Sequence, residues 1–211
     1  MAHERDVVAF DARAPDYEQG WLGRLHHEIA DRTLAIALAL NPKPQRLLDI
    51  GCGTGYLLGQ AAARLPEATE FLGIDPAAGM ISAARAAAVD ERLVFQHGVA
   101  EKLTFTDSSF DLVLATASFD HWADQRAGLS ETARVLTEGG HFVLADLLSL
   151  WLVPTTLSVR RGRVRTIGRA RAMLEDVGLQ PIARHNLYTI IGVLSATKPA
   201  PEPALRHRLD D

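Results

Sequence analysis

Asp49 stands two residues ahead of Gly51, Gly53 and Gly55, in the run Leu-Leu-Asp-Ile-Gly-Cys-Gly-Thr-Gly from Leu47 to Gly55. Alternate glycines let a loop curl tightly and bring bare backbone N–H groups against a ligand, because no Cβ stands in the way. A helical pattern, Tyr56 to Leu65, follows at once. The loop therefore falls between a strand end and a helix N-terminus, where the dipole favours negative charge. A carboxylate beside such N–H groups suits a ligand of mixed charge better than a pyrophosphate. A dinucleotide fingerprint also needs a small third residue, and Tyr56 occupies that place. Asp75 closes a second apolar stretch, Phe71 to Asp75, where an acid can accept from both hydroxyls of a ribose. His121, in the run Thr116-Ala117-Ser118-Phe119-Asp120-His121-Trp122, is the best candidate for removing a proton, with Asp120 next. The other reading of His121 is a cap or a packing contact beside the helix that follows. Adjacent residues on a helix point about 100° apart, so His26 and His27 make a poor ligand pair and no metal is expected. Cys52 lies where a small side chain suffices, and no reaction expected here needs a thiol nucleophile.

These residues resemble the class I S-adenosylmethionine-dependent methyltransferases of small-molecule type, whose glycine-rich first motif recurs here nearly letter for letter. That cofactor carries an ammonium, a sulfonium and a carboxylate, which fits an acid next to a glycine loop. The resemblance implies S-adenosyl-L-methionine as cofactor, held at Asp49, Gly51, Cys52, Gly53 and Gly55, with its ribose on Asp75. Pro76 then opens a helix, and Met80, one turn in, would lie on the adenine. The stretch Gln96 to Phe105, with Asp107 to Val113 behind it, is similar to the family's adenine loop and the strand after it. Val99, Ala100 and Glu101 would read the adenine edge through backbone groups. The family commonly has Asp where this chain has Val99, a loss of roughly 1 kcal/mol in affinity. Phe10 to Glu18 resembles an N-terminal segment that folds over the cofactor in many small-molecule methyltransferases. Tyr17 would then sit near the methionine end, with Phe10 closing the pocket, and Thr116 would face the cleft from the fourth strand. A plain surface helix start is the other reading of this segment.

The resemblance also implies a Rossmann-like three-layer α/β sandwich with a mostly parallel seven-stranded sheet, closed by a C-terminal antiparallel hairpin. Its function would be transfer of a methyl group to a small-molecule acceptor, the atom (O, N or C) left open. A nicotinamide-dependent oxidoreductase is the rival, and a cofactor-binding member without transferase activity is a third reading. The run Leu147 to Pro154 and the arginines from Arg160 to Arg165 would shape the acceptor site, for an apolar or anionic acceptor. A packed arm with a solvated basic end explains them equally well. Nothing here speaks to oligomeric state.

The elements that must position these groups follow from periodicity. Leu22, Leu25, Ile29, Ile36 and Leu40 recur at helical spacing ahead of the first strand. Strands are predicted at 46–50, 71–75, 93–97, 110–115 and 141–146, and helices at about 56–65, 76–89 and 124–138, the last stopped by Gly139-Gly140. Unbroken apolar strands predict a parallel sheet covered on both faces. A last helix ends before Gly178. Strands at about 181–187 and 190–197 are joined too tightly for a crossover and must be antiparallel. Residues 1–40 form an N-terminal helical lid segment in this reading, 41–198 the cofactor-binding domain, and the Pro-rich residues 199–211 a disordered tail. A length of 211 residues fits one domain, and a formal charge of −4 argues against a nucleic-acid binder. The single cysteine, the lack of an apolar leader and the lack of an apolar run of membrane-spanning length make the cytoplasm the expected location.

Overall fold

The structure, a computed structural model, describes residues 2–148 and 166–200. Strands β1 (Arg46–Ile50), β2 (Glu70–Asp75), β3 (Leu93–His97), β4 (Phe110–Thr116), β5 (Leu136–Leu147), β6 (Gln180–Asn186) and β7 (Ile191–Thr197) form one sheet in the order β3-β2-β1-β4-β5-β7-β6. Pairings from β3 through to β5 are parallel, while β7 runs antiparallel to both β5 and β6. The chain thus builds outward from β1 in one direction and then restarts at β4 in the other. Between the carboxyl ends of β1 and β4 lies the switch point where open α/β sheets hold ligands.

Alternate strand residues serve opposite faces. Leu47, Leu112 and Val143 share a cluster with Leu34 and Ala37 of α2 (Gly20–Leu40), Leu58 and Ala61 of α3 (Tyr56–Arg64) and Ile81 of α4 (Ala78–Ala87). Their neighbours Leu48, Val113 and Leu144 face Leu129 of α5 (Gln125–Val135) and Ala170 and Leu174 of α6 (Ile167–Asp176). Both faces are covered, which is why the strands read as unbroken apolar runs. Ahead of these layers, α1 (Ala2–Arg13) and a 3-10 turn (Ala14–Asp16) lie over the start of α4. There Ala14, Ala77 and Met80 pack with Val7, Phe10 and Tyr17. Asp11 accepts from the Gly79 N–H at the start of α4, an anion at a helix N-terminus whose own cap, Ala77, has no side-chain acceptor.

Two boundaries differ from expectation. The helix predicted to reach 138 ends at Val135, and β5 begins at once. Leu136 is fully buried and pairs with Phe110, so burial draws it into the sheet before the glycines are reached. Gly139-Gly140 instead bends β5 where its register on β4 shifts. Gly139 has φ +75° and donates to the Lys198 carbonyl. Pro76 likewise does not open α4, which starts at Ala78 after Asp75 has accepted from the Ala77 N–H. Among the described residues no helix is long and apolar enough to cross a membrane. The acceptor-shaping run and the arginines at 160–165 fall almost wholly outside the described residues, as does the tail from 201.

Candidate cofactor and acceptor site

The glycine loop turns out to be a surface for close approach. Gly51 and Cys52 both donate to the Ile74 carbonyl (2.8 and 3.0 Å), Gly55 donates to Cys52 (3.0 Å), and Gly53 donates to Asp75 Oδ2 (3.0 Å). The expected bare N–H groups are therefore taken up inside the protein at these positions. What the glycines give is space and left-handed backbone, with φ of +79°, +54° and +83°. A Cβ on Gly51 would sit 2.3 Å from that of Ser118, and one on Gly55 would meet the Phe95 ring at 2.6 Å. Gly53 alone of the three faces open space, its nearest neighbour being Tyr17 at 3.9 Å. Cys52 turns its sulfur toward the bare Cα of Gly73 in the core, and burial pushes its thiol well above the usual range. That removes it as a nucleophile.

Beneath the loop lie two buried acids. Asp49 is 3% exposed and its Oδ1 has no hydrogen-bond partner among the described residues. Burial, and secondly the nearby Asp75 charge, push its carboxyl up to about 7. Asp75 accepts from Ala77 (2.8 Å) and Gly53 (3.0 Å), which fix its plane at the cleft. Burial still outweighs those bonds and raises its carboxyl above the ordinary value. If Asp75 accepts the ribose hydroxyls, Asp75→Asn keeps the shape but turns one acceptor atom into a donor. Charge-assisted bonds contribute roughly 1.5–3 kcal/mol, so S-adenosylhomocysteine affinity should fall about 10- to 100-fold by calorimetry. Unchanged affinity in a folded variant would place the ribose elsewhere.

Two cavities open at this switch point. The first is lined by Asp75, Pro76, Met80, Gly98, Val99, Ala100 and Glu101 on one side. Thr116, Ser118, His121 and Trp122 line the other side, with Asp6, Val7 and Phe10 of α1 above. The second runs past Asp49, Cys52 and Thr54 to Glu18, His26 and His27. They share Tyr17, Gly51, Gly53, Thr116 and Ala117, so the two adjoin across the glycine loop. Glu101 uses a carboxylate oxygen to accept from the Asp124 N–H (2.9 Å) at the start of α5. Met80 is almost fully buried against the N-terminal segment. Tyr17 is packed closely enough that burial pushes its phenol up to about 12.

His121 lies on the cavity wall with Nδ1 2.9 Å from Asp6 Oδ2 and its ring edge-on to Phe10 at 4.9 Å. A carboxylate can only accept, so this contact puts the hydrogen on Nδ1 and leaves Nε2 the basic nitrogen. Asp120 is placed differently. It is 3% exposed and lines neither cavity, and its N–H donates to Asp146 Oδ2 (3.1 Å) at the end of β5. Burial raises the Asp146 carboxyl. Asp6, Asp146 and Ala117, a non-glycine residue at φ +52° beside the glycine loop, were not singled out from the sequence. Only the fold brings Asp6 and Ala117 to the cleft wall and seats the buried Asp146 against the Asp120 backbone, although a positive φ on alanine marks a site held by its surroundings. His26 and His27 stack on different rings, Tyr17 (4.9 Å) and Tyr56 (3.7 Å). Among the described residues no group of His, Cys, Asp and Glu has the arrangement of a metal site.

The family profile described as Methyltransferase domain matches residues 48–144, the segment from β1 to β5 that carries the loop, both acids and His121. The 27-O-demethylrifamycin SV methyltransferase of Amycolatopsis mediterranei is 33% identical over 203 residues, covering 82% of this chain and 72% of that protein. The demethylmenaquinone methyltransferase of Deinococcus radiodurans is 38% identical over 117 residues, 54% of this chain and 48% of that one. The chain thus spans most of the first relative and about half of the second. Among solved structures, the methyltransferase in complex with the Trm112 methyltransferase activator of Haloferax volcanii superposes with a TM-score of 0.78 at 22% identity, over 90% of this chain and 98% of that one. It supports the fold. Loop, acids, strand order and relatives agree: the chain belongs to the class I S-adenosylmethionine-dependent methyltransferases.

Proposed function

We propose that the cleft binds S-adenosylmethionine with its adenine between Met80 and the Val99–Glu101 segment, its ribose on Asp75 and its α-ammonium on Asp49. The acceptor is a small molecule with an apolar body and a hydroxyl, held between α1, Trp122 and the turn after β4. The carrying observation is Asp49. A fully buried carboxyl, pushed up to about 7, whose Oδ1 lacks a hydrogen-bond partner among the described residues, would be matched by a cationic group. The cofactor, when bound, supplies an electrophilic methyl whose leaving group departs as a neutral thioether. The work of the chain is then alignment, exclusion of water and removal of one proton. Phe10, Tyr17 and Met80 exclude water, and His121 Nε2 takes the hydroxyl proton while Asp6 holds the ring. In this reading residues 1–40 are the lid and entry segment, and residues 41–198 are the cofactor domain. The names of both relatives indicate small-molecule acceptors, and a single cysteine suits work in the cytoplasm.

Thermal melting tests the cofactor. At one hundred times its dissociation constant, S-adenosylhomocysteine should stabilise the fold by about 2.7 kcal/mol, a shift of roughly 5–10 °C for a chain of this size. NADH should leave the melt unchanged. Stabilisation by NADH and not by S-adenosylhomocysteine would overturn the assignment.

A further inference from the structure

Between β3 and β4 the chain leaves the sheet, from Gly98 to Ser109, and carries Val99, Ala100 and Glu101 along the first cavity. Outside a sheet, backbone groups must be satisfied in other ways. One turn closes locally, where the Lys102 N–H donates to the Val99 carbonyl (3.3 Å). Beyond it α5 supplies the partners. Glu101 accepts from the Asp124 N–H at the head of that helix (2.9 Å). One turn on, a Cβ on Gly128 would stand 3.1 Å from that of Ala100 and 2.4 Å from the Trp122 ring. Next, Glu131 accepts from the Leu103 N–H (2.8 Å). Arg134 then donates to the carbonyls of Leu103 (2.9 Å) and Phe105 (2.8 Å), to both Glu131 oxygens (2.8 Å each) and to Asp107 (2.7 Å). These contacts use every N–H of a guanidinium. Residues 124, 128, 131 and 134 recur at helical spacing, so one face of α5 follows the stretch along its length.

We propose that α5 is the template for this base-reading stretch, with Glu131 and Arg134 as positioning residues that fix its backbone for selective recognition of adenine. The proposal rests on the adenine placement given above. Val99 has no polar side-chain group, and Glu101 is tied to Asp124, which leaves backbone groups to read the base edge. Such groups discriminate only where the chain is held in one shape beforehand. Adenine presents an amino donor beside a ring-nitrogen acceptor. Hypoxanthine, with oxygen in place of that amino group, presents the reverse order. A fixed carbonyl and N–H pair tells the two apart.

The chemistry of the pair suits that task. The bond from Arg134 holds the Glu131 carboxyl below its ordinary value, so both partners are ionised at neutral pH. A lysine at 134 would keep the charge, but its three donors radiate from one nitrogen. The planar guanidinium fork spans Leu103 and Phe105 together, and an ammonium does not. A comparable clasp elsewhere separates this role from fold support. Arg92 donates to the carbonyls of Leu65 (2.7 Å), Ala68 (3.0 Å) and Ala62 (3.0 Å) beyond α3 and lines neither cavity of the cleft.

The test compares S-adenosylhomocysteine with S-inosylhomocysteine by calorimetry. The wild-type protein should prefer the first by about 10- to 100-fold, as expected for lost hydrogen bonds and mismatched polar atoms. Arg134→Lys should weaken the first about 10-fold and leave the second within about twofold, so the preference shrinks. Glu131→Gln, which keeps an acceptor for the Leu103 N–H, should lose about threefold of the preference. Arg92→Lys should lower the melting temperature and keep the wild-type preference. Equal weakening of both ligands in Arg134→Lys would make the clasp a fold contact only and overturn the proposal. An unchanged preference would overturn it too, as would a wild-type protein that binds both ligands alike. Should Arg134→Lys fail to fold, the same ratio in Glu131→Gln decides. If the wild-type protein bound no S-adenosylhomocysteine, the cofactor reading itself would fail, and this proposal with it.

Discussion

His121→Ala should leave S-adenosylhomocysteine affinity within about twofold and lower turnover by roughly 100-fold or more. General-base removal of a proton contributes about 10²- to 10⁴-fold to such reactions, and the proposed function gives the imidazole that task. Its Nδ1 is oriented by Asp6 at 2.9 Å, and its ring is held edge-on by Phe10. Asp6→Asn should retain part of the activity, because the amide can accept through oxygen but carries no charge to stabilise an imidazolium. The two variants separate proton removal from binding when kcat and the acceptor KM are measured apart. A His121→Ala enzyme with unchanged kcat and a raised KM would show that the ring only shapes the acceptor pocket. That result would point to an acceptor already nucleophilic when neutral, such as an amine.

Asp49→Asn should show two opposite effects. Cofactor affinity should fall about 100-fold or more, since a buried ion pair loses its anion. The ligand-free protein should become more stable at pH 8. The folded-state value of about 7 lies above the ordinary 3.8, so the folded protein holds this proton more tightly than the unfolded chain does. Asp49 therefore favours folding most below about pH 4. That contribution fades as pH rises through 7, where the buried charge must be carried. At about 1.4 kcal/mol per pH unit the full span bounds the cost at about 4 kcal/mol. The amide leaves its own polar atoms poorly matched, so a gain of about 1–2 kcal/mol is expected, or roughly 3–8 °C in melting temperature. Binding follows the reverse sign. The ammonium holds the ionised carboxylate, so affinity for S-adenosylhomocysteine should strengthen as pH rises from 5 to 7, and Asp49→Asn should flatten that limb. A folded variant that binds normally at every pH would remove Asp49 from the site.

The sequence by itself determined the class of fold and the location of its chemistry. Apolar runs ending in Asp49-Ile50 and in Asp75, a glycine at every second place after the first, and two short strands joined without room for a helix leave few arrangements of the sheet. Each of these is a local signal, written in neighbouring residues and in the period of side chains along one element. Composition settled little more than a single domain of ordinary charge.

Tertiary structure decided what each residue does in that place. Gly51 and Gly55 are required by Ser118 and Phe95, residues far away in the chain, and only Gly53 faces open space. The N–H groups that a glycine loop suggests are taken by the Ile74 carbonyl and by Asp75, because the parallel β2 lies alongside. Asp120 and His121 are neighbours in sequence, yet one is buried against Asp146 and the other lines the cleft with Asp6. Gly139-Gly140 reads as a helix stop but bends a strand, since burying Leu136 in the sheet outweighs the local preference. His26 reads in the sequence only as half of a poor metal-ligand pair, and its stacking on Tyr17 is set by packing. Side-chain direction, burial and the absence of a partner are properties of packing between distant segments. No local pattern encodes them, and they are what separates a residue that holds a ligand from one that holds the fold.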